Sequence, residues 1–202
     1  MGGDNRQLAH YDGSAWKKIA TGTTLSIQDI FGAKNPQTGA WEVLAVAGDQ
    51  LHSLAREVLR VEGLTATAIP DRPLDRPVNT VWFLPGERYC VVGAGLYQKA
   101  SLADSLWQGG LFDVTQFLLE HIRGTAANDV YAVGHFGEVL HWNGKSWRSD
   151  QNEVGIPGGI HRGDEIPKRH SKKSIASIPD MHYIWCISGI KYELAPIQDQ
   201  DA

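Results

Sequence analysis

The chain reads as an all-β protein built from repeated four-stranded antiparallel units, and three observations carry that reading. Short stretches alternate with a period of two: in Asp129–Trp147, DVYAVGHFGEVLHWNGKSW, Val130, Ala132 and Gly134 alternate with Tyr131 and Val133, which sends successive side chains to opposite faces of a strand. Asn143-Gly144 then joins two such stretches, the pair expected in a type I′ hairpin because that turn needs φ > 0 at both central residues. The unit also recurs: LAHYDGSAW, Leu8–Trp16, aligns with VLHWNGKSW, Val139–Trp147, and Glu57–Gly63 aligns with Glu138–Gly144, in both cases without a gap.

The turn glycines Gly13, Gly63 and Gly144 lie 50 and 81 positions apart, so one degenerate turn is expected inside the longer interval. A repeat of roughly 40 to 50 residues with four strands is the signature of a propeller blade. The expectation is therefore a β-propeller-like domain over 1–202, with about four to five four-stranded blades, incomplete or part of a larger propeller. Residues 6–23 would form an outer strand pair, 24–76, 77–112 and 113–150 three blades, and 151–202 a divergent last blade or tail.

Each element follows from its residues. Leu25–Phe31 opens the first full blade, and the polar loop AKNPQTGA leads to Glu42–Val46. An insertion, Gly48–Arg56, stands where Gly134–Gly137 needs four residues, and Thr65–Ile69 is the fourth strand. The connector DRPLDRP, Asp71–Pro77, is stiffened by prolines that cannot join a ladder. Thr80–Leu84, a Pro85-Gly86 turn, Arg88–Gly93 and Leu96–Lys99 make the next blade, with SLADS in place of the Asn-Gly turn. Thr115–Arg123 begins the blade of Asp129–Trp147, whose stretch Val130–Gly134 reads as an inner strand covered on both sides. Trp16 and Trp147 share one phase after the turn and are expected as core packing residues. Tyr183–Ser188 is a weaker inner-strand copy, and PKRHSKK a solvated basic loop.

The stretches GTAANDVYAVGHFGEVLHWNGKSW and LAHYDGSAWKKIATGTTLSIQDIFG resemble the repeats of bacterial β-propeller proteins, many of them surface or exported repeat proteins, and are distantly similar to Asp-box and YVTN-type blades. The resemblance covers roughly residues 6 to 150, and 151–202 depart from it. It implies the fold and leaves function open, because propellers host many unrelated activities.

Composition narrows the classes. With 42% hydrophobic residues and seven Trp the chain can bury a sizeable core. A net charge of −4 and a pI near 6.0 argue against a nucleic-acid partner, whose footprint is a basic patch. No apolar run approaches the ~20 residues of a membrane span, and MGGDNRQLAH lacks the apolar segment of a secretory signal. The chain begins at the third strand of a blade, so it reads as a piece of a longer exported protein, extracytoplasmic in that case and cytoplasmic otherwise. Cys90 and Cys186 fall at different phases of the inner strand and are expected reduced, buried and unpaired.

No cofactor or metal is implied. His10 and His141 repeat one position in different blades, so a packing residue carried twice accounts for them better than a shared metal. His161, His170 and His182 lack zinc-ligand spacing. Arg162-Gly163-Asp164 is an adhesion tripeptide of a length that arises by chance. Gly93-Ala94-Gly95 has no third glycine and no helix after it, so it is a β turn rather than a dinucleotide loop.

Function is expected to be non-enzymatic: a binding or scaffold module for a protein or glycan ligand, self-associating if the ring is open. The alternative is a sialidase-like glycoside hydrolase, which needs paired carboxylates and, for acidic sugars, arginines; Asp71, Asp75, Arg72, Arg76 and Asp49 would supply them. Loops joining strand two to three and strand four to the next strand one share one end of a propeller. Ligand binding is therefore expected at Asp49, His52, Arg56, Asp71, Arg72, Asp75, Arg76, His135 and Phe136.

Overall fold

The computed structural model describes residues 2–3, 7–49, 55–110 and 113–149, all within the compact unit Met1–Gly159. His52 and all the features expected in 151–202, among them Cys186, the three histidines, the tripeptide, the basic loop and the Tyr183–Ser188 strand, lie outside the described residues.

Sheet A has three strands, β1 (Gly2–Gly3), β2 (Gln7–Tyr11) and β3 (Trp16–Ile19). Three four-stranded antiparallel sheets follow in chain order. Sheet B is β4 (Ser26–Lys34), β5 (Trp41–Gly48), β6 (Arg56–Glu62) and β7 (Thr65–Ala68). Sheet C is β8 (Val78–Leu84), β9 (Arg88–Gly93), β10 (Leu96–Lys99) and β11 (Gln108–Gly110); sheet D is β12 (Leu119–Ala126), β13 (Asp129–Gly134), β14 (Val139–Trp142) and β15 (Trp147–Ser149). A single 3-10 turn, His135–Gly137, is the helical element among the described residues. First strands of successive sheets lie side by side, β4 against β8 and β8 against β12, as in blades set around a common axis.

Sheets B and C each bury one face against the sheet before and the other against the sheet after, while sheets A and D bury one face each against a described neighbour. Leu8 and Ile19 of sheet A meet Ala45, Ala47 and Leu59 of sheet B. The alternate residues of β5, Leu44 and Val46, meet Tyr89 and Val91 of β9. Cys90 and Val92, on the far side of β9, meet Val130, Ala132 and Leu140 of sheet D. Thus β9 is buried on both faces.

β13 departs from the expectation of two covered faces: Val130 and Ala132 are buried, but Tyr131 is 44% exposed and Val133 is exposed too. No described sheet lies beyond sheet D. The same reason corrects Trp16, which is 58% exposed against Tyr11 on the face of sheet A that has no described sheet before it. Trp147 is half-buried against Trp142. Trp107 takes the core role, almost fully buried in front of β11.

The turn chemistry is corrected as well. Among the described residues Phe136 is the one non-glycine at positive φ, so Asn143 does not adopt a type I′ turn. Instead Asn143 Oδ1 accepts hydrogen bonds from the backbone N–H of Lys145 (3.0 Å) and Ser146 (3.1 Å), closing a four-residue loop between the pair Trp142 and Trp147. Asp12 does the same, accepting from Ser14 N and Ala15 N at 2.9 Å between Tyr11 and Trp16. The repeated Asp/Asn is therefore a side-chain cap, and Gly13 (φ 99°) and Gly144 (φ 90°) occupy the left-handed position after it.

Candidate functional site

The strands that open sheets B, C and D share one irregularity. The ladder register skips Gln28, Asn79 and Glu120 at a shift in β4, β8 and β12, the pattern of a β-bulge that re-aims side chains near one end of a strand. The freed side chains tie neighbouring backbones together. Asn79 Nδ2 donates to Leu119 O (3.1 Å) in the next sheet, and Gln28 Nε2 to Gly48 O (3.0 Å).

Immediately after the bulges lies a charged crossing of three sheets. Asp29 Oδ2 accepts from Thr80 Oγ1 (2.5 Å) and Val81 N (3.1 Å), and Arg123 Nη1 lies 3.6 Å from the same oxygen. Arg123 Nη1 also donates to Ile122 O (2.7 Å), and its guanidinium sits over the Phe31 ring.

At the end where β8 and β12 begin, the turns after β9 and β13 bond to the segments that enter the sheets. Ala94 N donates to Pro77 O (3.1 Å) and His135 N to Leu118 O (2.9 Å). His135 Nε2 is 2.8 Å from Glu120 Oε1, beside the Glu120 Oε2 that lies 3.5 Å from Asn79 Nδ2. Phe136, 73% exposed, has φ 58° and ψ 25° and rests against Phe117, ring centroids 5.3 Å apart. A bulky residue in the left-handed region is a backbone outlier that the surroundings must enforce. Enforcement comes from Gly134, where a Cβ would fall 2.1 Å from Leu118 O, and from Glu138, whose N donates to His135 O. The buried Glu138 carboxylate accepts from Thr115 Oγ1 (3.0 Å) and Ser149 Oγ (2.7 Å).

The other expected site residues belong to sheets B and C. Asp49, half-buried, follows β5, and its N donates to Ala55 O (3.1 Å); Arg56 opens β6. The 69–76 connector is a strap seated on sheet C. Leu74 is core, Asp75 accepts from Tyr97 Oη (2.5 Å), Pro70 O accepts from Lys99 Nζ and Trp107 Nε1 (both 3.1 Å), and Arg72 O from Trp107 N. Burial, and then Asp75, push the Tyr97 phenol above its ordinary value, while burial lowers the Lys99 ammonium. Asp71 and Arg76 are half-buried and Arg72 is exposed at this strap. The structure thus brings His135 and Phe136 together with Glu120, and groups Asp75 and Arg72 with the strap around Trp107.

Asp29, Asn79, Phe117, Glu120 and Arg123 are not among the residues expected from sequence. A register comparison of Ile27-Gln28-Asp29, Val78-Asn79-Thr80 and Leu119-Glu120-His121 would have marked the polar residue at the bulge.

No family model and no curated protein matches the chain. Among solved structures it is similar to "YCF48 bound to D1 peptide", with a TM-score of 0.52 and 12% sequence identity over 76% of this chain. This chain spans about half of that one, 50% of its length. No described helix is long and apolar enough to cross a membrane, and no described group of three His, Cys, Asp or Glu could hold a metal ion. Four antiparallel sheets stacked face to face around adjacent first strands, together with this likeness, make the fold of the chain β-propeller-like.

Proposed function

We propose that the chain is a non-enzymatic binding module, part of a repeat-containing bacterial propeller protein, that holds an extended peptide at the end where β8 and β12 begin. The observation that carries this reading is Phe136: an exposed aromatic kept at φ 58° beside the His135–Glu120 pair. An aromatic anchor next to a polar pair is the composition of a recognition site, and backbone strain at such a residue is retained where function uses it. The solved structure of similar fold holds a peptide, which favours that class of ligand over a glycan. Of the carboxylates offered for hydrolysis, Asp75 accepts from Tyr97 Oη and so helps to hold the 69–76 strap on sheet C.

The test is selection from an immobilised random peptide library, followed by titration of the selected peptide. Phe136→Ala is expected to weaken binding by about tenfold or more, in the range of an interface anchor, and His135→Ala severalfold, while Lys145→Ala on the opposite turn leaves it unchanged. Asp49→Ala and Arg72→Ala are expected to weaken it if the peptide runs on to sheet C's strap. Phe136→Gly relieves the left-handed strain, so it should fold as stably as the parent within about 1 kcal/mol yet bind as poorly as Phe136→Ala. Selection of no peptide, or full affinity in Phe136→Ala, rejects the reading.

A further inference from the structure

We propose that the gap between sheets C and D, at the end opposite Phe136, binds a carboxylate through Arg88, Trp142 and Trp147. Three donors gather there without an acceptor among the described residues: Arg88 Nε, Trp142 Nε1 and Trp147 Nε1 are each buried from solvent and unbonded. Trp142 is only 9% exposed. The Arg88 guanidinium lies 4.1 Å from the Trp142 ring centroid, and the Trp142 and Trp147 rings are 5.7 Å apart, so the three belong to one cluster.

The chemistry of the cluster is one-sided. Buried N–H groups left without an acceptor cost about 1–3 kcal/mol each and are rarely tolerated. Here all three orphans are donors and one belongs to a permanently charged guanidinium. Arg88 Nη1 donates to the neutral Gln98 Oε1 at 2.6 Å, the guanidinium also acts on the protonated Cys90 thiol, and no described carboxylate lies within ion-pair distance of it. Asp129, the acid that opens β13, is engaged by His141 and Thr125. A planar anion with two acceptor oxygens complements a guanidinium edge and indole N–H groups together. A chloride or one water offers a single centre. Arg88 is half-buried rather than fully enclosed, so an anion can reach it. Both the Pro85-Gly86 and Asn143-Gly144 turns flank this end, which puts the gap on the other side of the sheets from His135.

The carboxylate can be a free small acid or an acidic side chain of a peptide, and two probes separate them: sodium acetate, and the blocked tripeptide acetyl-Gly-Glu-Gly-amide. Both are titrated against sodium chloride at matched ionic strength, reading the indole N–H resonances of the seven tryptophans by NMR. Two indole resonances, one of which disappears in Trp147→Phe, are expected to move saturably with acetate or with the tripeptide and not with chloride. A shift with acetate alone assigns a small acid, and a tighter shift with the tripeptide assigns an acidic side chain. Arg88→Gln should weaken the titration about tenfold or more, the size of one lost charge-assisted bond. Trp147→Phe, which keeps the ring and deletes one N–H, should weaken it severalfold and decides the matter if Arg88→Gln does not fold. No saturation with either probe, or titrations unchanged in the variants, overturns the proposal and leaves the donors to ordered water. Neither outcome bears on Phe136.

Discussion

The indole of Trp82 fills the space that a side chain on Gly124 would occupy. A Cβ at Gly124 would lie 2.6 Å from Trp82 Cζ2, 2.8 Å from Cη2 and 2.9 Å from Asp129 O. Gly124 thus lets the first strand of sheet D close on the most buried aromatic of β8's far face. Gly124→Ala should cost about 1–3 kcal/mol through overpacking against a rigid ring and a carbonyl. Urea denaturation checks it, and Trp82→Leu in the same background should recover part of the loss. An unchanged midpoint in Gly124→Ala would show that the sheets separate more easily than this packing requires.

Trp107 and Trp16 should behave oppositely on truncation. Trp107 is buried, bonded through Nε1 to Pro70 O, and has the Lys99 ammonium 4.8 Å from its ring centroid, so it fastens the 69–76 strap to sheet C. Trp107→Ala should cost about 3–5 kcal/mol. Trp16→Ala, on an exposed face, should cost under about 1 kcal/mol. Comparing the two melting curves measures the difference, and equal losses would mean that the open face of sheet A is covered in solution.

Alkaline unfolding should carry the signature of Cys90. Burial in the gap between sheets C and D pushes its thiol from 9.0 up to about 12. The unfolded chain therefore releases this proton near pH 9 while the folded chain holds it to near pH 12. The stability tied to the buried thiol is intact below pH 9 and is lost as pH rises to about 12, at about 1.4 kcal/mol per pH unit. Cys90→Ala carries a constant cavity penalty and lacks this slope, so the gap between parent and variant should narrow across that window. Parallel curves would contradict the buried, protonated thiol.

What the sequence determined by itself was everything local. The period-two stretches became strands, the gapless alignment of Leu8–Trp16 with Val139–Trp147 became two hairpins with the same side-chain cap, and Pro85-Gly86 became a turn, because each rests on contacts within a few residues. Asn143-Gly144 marked a turn correctly, yet the wrong one, since the Asn143 side chain supplies the hydrogen bonds that a type I′ backbone would otherwise have to make. The tertiary structure decided coverage and convergence. Trp16 and Trp147 hold one repeat position, as do the alternating residues of β9 and β13, yet their burial differs because it depends on whether a sheet about 40 residues away in sequence stands in front. Likewise the bulges at Gln28, Asn79 and Glu120 show in the sequence only as one extra polar residue when the three strands are aligned, and within a single strand they are indistinguishable from a break in the alternation. Asp29 finds Thr80 and Arg123, and Glu120 finds His135, only once the first strands lie side by side, since a polar side chain's partner across sheets is fixed by packing and not by spacing along the chain.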